Sequence, residues 1–138
     1  MKKLFLLIFA LILTSSMAMA SDYNFISPEK LKQGIEKREN LLLLDIQVEA
    51  DFTQHHLEGA LATYAYPVKS DADRDKLTPV VALIKADQAP VVIICPRGGG
   101  GAKRAYDFLV NNGVEVERLK ILEGGQQKWP YAELLAKQ

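Results

Sequence analysis

The chain of 138 residues contains a single cysteine, Cys95. No disulfide can form within one chain, and a lone cysteine is a candidate reactive thiol. Histidine is nearly as scarce, with only the adjacent pair His55 and His56. Two neighbours cannot both face one ion from a regular element, and no second cysteine or clustered carboxylate completes a shell, so no metal site is expected. No basic block or arm is present: Lys+Arg and Asp+Glu both number 17, and the net charge is zero. Nucleic-acid binding therefore has no electrostatic support. Repeats, low-complexity tracts and internal linkers are absent too. No apolar run reaches the ~20 residues of a membrane-spanning helix; the longest, Leu4 to Thr14, has 11.

That run reads as something else. Met1-Lys2-Lys3 is a short positive region ahead of it, and Ala18-Met19-Ala20 puts small residues where a signal peptidase reads. Residues 1–20 are therefore expected to be a secretory signal peptide, cut before Ser21. No cysteine lies near that site, which excludes a lipoprotein anchor. Residues 21–138 then form one domain, 138 − 20 = 118 residues long, enough for a hydrophobic core without staples. Loss of Lys2 and Lys3 leaves 15 basic against 17 acidic residues, a net charge of −2. The expected location is periplasmic or secreted, free of the membrane after cleavage.

The remaining pattern alternates helix-like and strand-like segments, which predicts an α/β fold with a central, mostly parallel sheet flanked by helices. Ser27-Pro28 is an N-cap followed by proline at the first helical position, with the helix running to about Lys37. Leu41 to Ile46 is a short apolar run suited to a strand buried on both faces. A short helix is expected over Glu49–Gln54, a brief strand from Gly59-Ala60 to about Tyr64, and a helix over Thr78–Lys85. Val91-Val92-Ile93-Ile94 is the clearest strand. Pro96 to Gly101 reads as a loop, Ala102–Asn112 as a helix stopped by Gly113, and Val116–Leu122 as the last strand. Gly124-Gly125 makes a turn toward Trp129, the only tryptophan, expected to fill core.

The chemistry gathers where Val91–Ile94 ends. Cys95 lies at the carboxyl edge of the expected sheet, where ligands bind in open α/β folds. Gly98, Gly99, Gly100 and Gly101 follow before the next helix. Glycine lets the backbone curl around an atom, so successive N–H groups form an anion-binding nest, and the helix start adds its own. A thiolate inside such a loop is favoured over the thiol. A phosphate-binding loop would end in Gly-Lys-Ser/Thr, whereas Gly101 is followed by Ala102.

Cys95 with its glycine loop resembles the active-site loop of the rhodanese family. Leu44-Asp45-Ile46 resembles the family's strand ending in aspartate. Phe52 with His55-His56-Leu57-Glu58-Gly59-Ala60 is similar to its "F…GHIxGA" segment. Leu122-Glu123-Gly124-Gly125-Gln126-Gln127-Lys128-Trp129 is similar to its "L.GG..AW" segment. The resemblance runs from about Ser27 to Tyr131.

It implies a rhodanese-like fold and a sulfurtransferase with Cys95 as nucleophile. A sulfane sulfur would pass from a donor such as thiosulfate to a thiol, cyanide or protein acceptor, with no cofactor. The backbone of Arg97 to Gly101 would cradle the sulfur and the leaving sulfite, while Asp45 would hold the loop or the strand end. The alternative is a persulfide carrier, redox sensor or partner-docking module with little catalysis of its own. The chain departs from the family pattern in several places. The cation that many members carry five residues after the cysteine is Gly100 here, and the Ser/Thr after it is Gly101. Gln47 stands where arginine is frequent, and His55 replaces the first glycine of "GHIxGA". Arg97, the one guanidinium inside the loop, is therefore the expected partner of a dianionic donor. Lys103 and Arg104, in the first turn of the next helix, are expected to face outward. Phosphatases of this fold have a loop one residue longer and an arginine that grips phosphate, so phosphatase activity is not expected.

Overall fold

The computed structural model describes residues 23–138, and the expected signal segment lies outside the described residues. Strand β1 (Phe25–Ile26) leads into helix α1 (Pro28–Glu36). Ser27 caps that helix, its Oγ accepting from Lys30 N–H at 3.2 Å. Then follow β2 (Leu42–Asp45), α2 (Glu49–Gln54), β3 (Leu61–Ala62), α3 (Asp71–Asp75), α4 (Thr78–Lys85), β4 (Val91–Ile94), α5 (Gly100–Asn111) and β5 (Leu119–Leu122). Three short 3-10 turns cover Val116–Arg118, Gln126–Lys128 and Ala132–Leu134.

The five strands form one sheet in the order β1-β5-β4-β2-β3, and every pairing is parallel. β4 lies in the middle, which explains its four apolar residues, all buried. Val91 and Ile93 pack with Ile84 of α4 and with Ala105 and Leu109 of α5. Val92 and Ile94 point the other way, toward Leu31 of α1, Leu57 and the edge of Trp129. Strand alternation thus splits the core into two layers, one on each face. The connection after β4 runs to β5 on one side, and the one after β2 runs to β3 on the other. The carboxyl ends of β2 and β4 therefore flank the point where the connections diverge, the position at which open α/β sheets leave a crevice.

Several expected boundaries shift. The last strand begins at Leu119, because Val116–Arg118 coils into a 3-10 turn. β3 keeps only two residues, since Thr63 turns both its N–H and its Oγ onto Asp45 O and the chain leaves the sheet. β1 and α3 have no counterpart in the sequence reading. α5 starts at Gly100, so Gly100 and Gly101 belong to a helix rather than to a loop.

Candidate active site

Cys95 directly follows β4, and its Sγ is almost wholly enclosed. Gly98 N–H donates to Sγ over 2.9 Å. Gly98 makes this bond at φ +73°, a conformation that residues with a Cβ rarely adopt. The first backbone bond of α5 runs from Lys103 N–H to Gly99 O. The N–H groups of Gly100 and Gly101 precede that ladder and point off the positive end of the helix. Cys95, Arg97, Gly99, Gly100, Gly101 and the ring of Tyr66 enclose a cavity of about 210 Å³. Tyr66 can lie that close because Gly101 has no side chain; a Cβ there would sit 2.7 Å from its Cδ2.

The turn after β5 holds this loop from beneath. Gln126 N–H donates to Cys95 O at 2.8 Å, and Gln127 N–H to Pro96 O at 3.0 Å. Gly125, at φ +64°, presses directly on the backbone of Cys95 and Pro96. The sequence marked Gly124-Gly125 only as a turn. Its glycine pair was the signal for a close backbone approach.

A family model described as "Rhodanese-like domain" matches residues 27–132. The chain belongs to the rhodanese-like family. No curated protein sequence matches it. Among solved structures, a yeast protein tyrosine phosphatase of the rhodanese family superposes with a TM-score of 0.63 at 19% identity, over 83% of this chain and 92% of that one. An As-Sb reductase from Leishmania major gives 0.65 at 13% identity, over 83% and 85%. A rhodanese-related protein from Thermoplasma volcanium gives 0.57 at 20% identity, over 78% and 90%. At these identities the likeness is one of fold.

In this rhodanese-like domain Asp45 is fully buried at the end of β2, paired in register with Ile94. Its Oδ1 accepts from Gln47 N–H at 2.9 Å and its Oδ2 from Gln47 Nε2 at 3.0 Å. Gln47 Nε2 also donates to His55 O, so the pair ties the strand end to the segment after α2. Asp45 thus braces the neighbouring strand; its carboxylate hydrogen-bonds Gln47 and not the cysteine loop.

Burial pushes the Asp45 carboxyl up to about 6 from 3.8, although the Gln47 bonds and the charge of His56 pull it back. Between those values the folded chain holds more protons than the unfolded chain. Stability therefore rises as pH falls from about 6 to about 4, by up to about 3 kcal/mol. Urea unfolding of wild type and Asp45→Asn across that window checks this. The wild type should gain on the variant as pH drops, whereas a constant difference would mean that Asp45 titrates at its ordinary value.

The remaining expected site residues separate. Arg97 lines the cavity but is exposed. His56 stacks on Phe52 with centroids 3.9 Å apart, as a packing residue does. His55, Gln126 and the half-buried Trp129 line a larger cavity of about 470 Å³. That cavity holds no cysteine, so the site is assigned by the nucleophile rather than by volume. The expectation that Arg104 faces outward is overturned. Its Nε donates to Pro67 O at 2.9 Å, which folds the guanidinium back against the start of α5.

Proposed function

We propose that this domain is a sulfurtransferase that carries a sulfane sulfur as a persulfide on Cys95. The observation that carries the reading is the Gly98 N–H bond to Sγ, made at the wall of a cavity sized for a small donor. The Gly98 N–H holds Sγ at the cavity wall, positioned for attack on a donor. The thiolate attacks the sulfane sulfur of a donor such as thiosulfate. An Sγ–S bond forms, the donor S–S bond breaks, and sulfite leaves with the bonding pair. A thiolate or cyanide then attacks the outer sulfur, and the Sγ–S electrons return to Cys95. Neither half requires an external oxidant or reductant, and together they make a double displacement. In this reading the N–H groups at the start of α5 stabilise charge on the departing sulfite.

Intact mass after incubation with thiosulfate tests this: one sulfur atom should add to each chain and leave on addition of cyanide. No added sulfur from thiosulfate or from a neutral polysulfide would sink the reading. The similar yeast fold is named as a phosphatase, so a phosphate ester is the control substrate, and no turnover is expected. The pattern over residues 1–20 supports export, and the same spectrum should show an exported chain that begins at Ser21.

A further inference from the structure

We propose that Arg104 supplies the cation that selects an anionic sulfur donor at Cys95, an assignment that rests on the sulfurtransferase reading. Arg104 lies one helical turn after Gly100, on the same face of α5. Gly100 has no side chain, and the guanidinium fills the space where one would start. A Cβ built on Gly100 would stand 2.8 Å from Arg104 Nη1 and 3.4 Å from Nη2. Gly100 lines the cavity that holds Cys95, and the Arg104 guanidinium, not itself part of that lining, packs on Gly100. The Nε bond to Pro67 O pins the side chain there and leaves both terminal nitrogens available. Pro67 follows Tyr66, whose ring lines the same cavity.

The surrounding charges point the same way. The N-terminus of a helix favours anions and disfavours cations. The first turn of α5 nevertheless has no acidic residue and carries Lys103 and Arg104 close behind. Among the described residues no carboxylate lies within ion-pair distance of Arg104. Backbone N–H groups, the helix end and an unpaired, half-buried guanidinium all converge beside one cavity. That arrangement favours an anion. A guanidinium fork suits the two or three oxygens of a sulfonate-like group, as on thiosulfate, and binds the departing sulfite equally well.

The test measures alkylation of Cys95 by anionic iodoacetate and by neutral iodoacetamide in wild type, Arg104→Gln and Gly100→Ala. Alkylation needs only the thiolate, so it reads the cation whether or not the domain transfers sulfur. In Arg104→Gln the iodoacetate rate should fall about tenfold relative to iodoacetamide, as expected for loss of a charge-assisted contact. Gly100→Ala keeps the arginine but pushes Nη1 aside, and it should lower the same ratio. In Arg104→Gln persulfide loading should show the matching pattern, slowed about tenfold more from thiosulfate than from a neutral polysulfide. An unchanged ratio in Arg104→Gln would overturn the proposal. So would equal losses with both reagents, which would make Arg104 a prop for the Pro67 segment. A lowered ratio in a protein that takes sulfur from no donor would leave the cation in place and overturn the sulfurtransferase reading alone.

Discussion

Cys95→Ser is expected to abolish sulfur loading and transfer, a loss of more than about a thousandfold, while the domain stays folded. The chain has no second cysteine to take over or to resolve the persulfide. Serine cannot stand in, because its hydroxyl is un-ionised at neutral pH and, among the described residues, Sγ hydrogen-bonds the Gly98 N–H, a donor and not a base. The same N–H explains why the fold should survive. Cys95 is 2% exposed, so an unmet Gly98 N–H at this site would cost about 1–3 kcal/mol. A serine Oγ accepts that hydrogen bond, whereas alanine leaves the donor orphaned. Thermal unfolding should therefore place Cys95→Ser near wild type and Cys95→Ala below it. Transfer retained by the serine variant would refute the covalent mechanism.

What the sequence revealed follows from the range of the interactions involved. β4 was legible because four buried β-branched residues in a row carry their own signal. The start of α1 was legible because Ser27 and Pro28 act within one turn. α3 was not, since its five residues are all polar or alanine and show no apolar period; its hold is the reciprocal cap between Ser70 and Asp73. β1, with two residues, is too short for a period and exists by pairing with β5. The four glycines marked the cysteine loop but hid the helix that begins among them, because Gly100 and Gly101 read locally as loop. Arg104 was misjudged for a different reason. Helical position alone points it to solvent, and only Pro67 O, 37 residues earlier, turns it inward. The contact between Gly125 and the cysteine loop spans a helix and a strand, so the glycine pair signalled a close approach but not which backbone it meets.

Gly125→Ala is expected to be the most damaging single methyl group in the domain. Gly125 has φ +64° and ψ −166°, a region essentially reserved for glycine, and a side chain there costs about 1–3 kcal/mol. The new Cβ would also collide with Cys95 O and stand 2.6 Å from Arg97 N and from Pro96 C. These are backbone atoms and cannot rotate away, so overlap adds about 1–3 kcal/mol more. The sum, about 2–6 kcal/mol, is a large part of a typical domain's stability. Relief would come from lifting the Cys95–Arg97 segment off the turn, which breaks the bonds from Gln126 N–H and Gln127 N–H and moves Sγ away from its nest. Gly59→Ala separates the two terms, because Gly59 has φ +82° but nothing within 4 Å of its Cβ position. That variant should lose only the backbone term, about 1 kcal/mol, and load sulfur normally. Gly125→Ala should lose both stability and loading. Equal, small losses in the two variants would mean that the turn yields without disturbing the loop, and that Gly125 does not position Cys95.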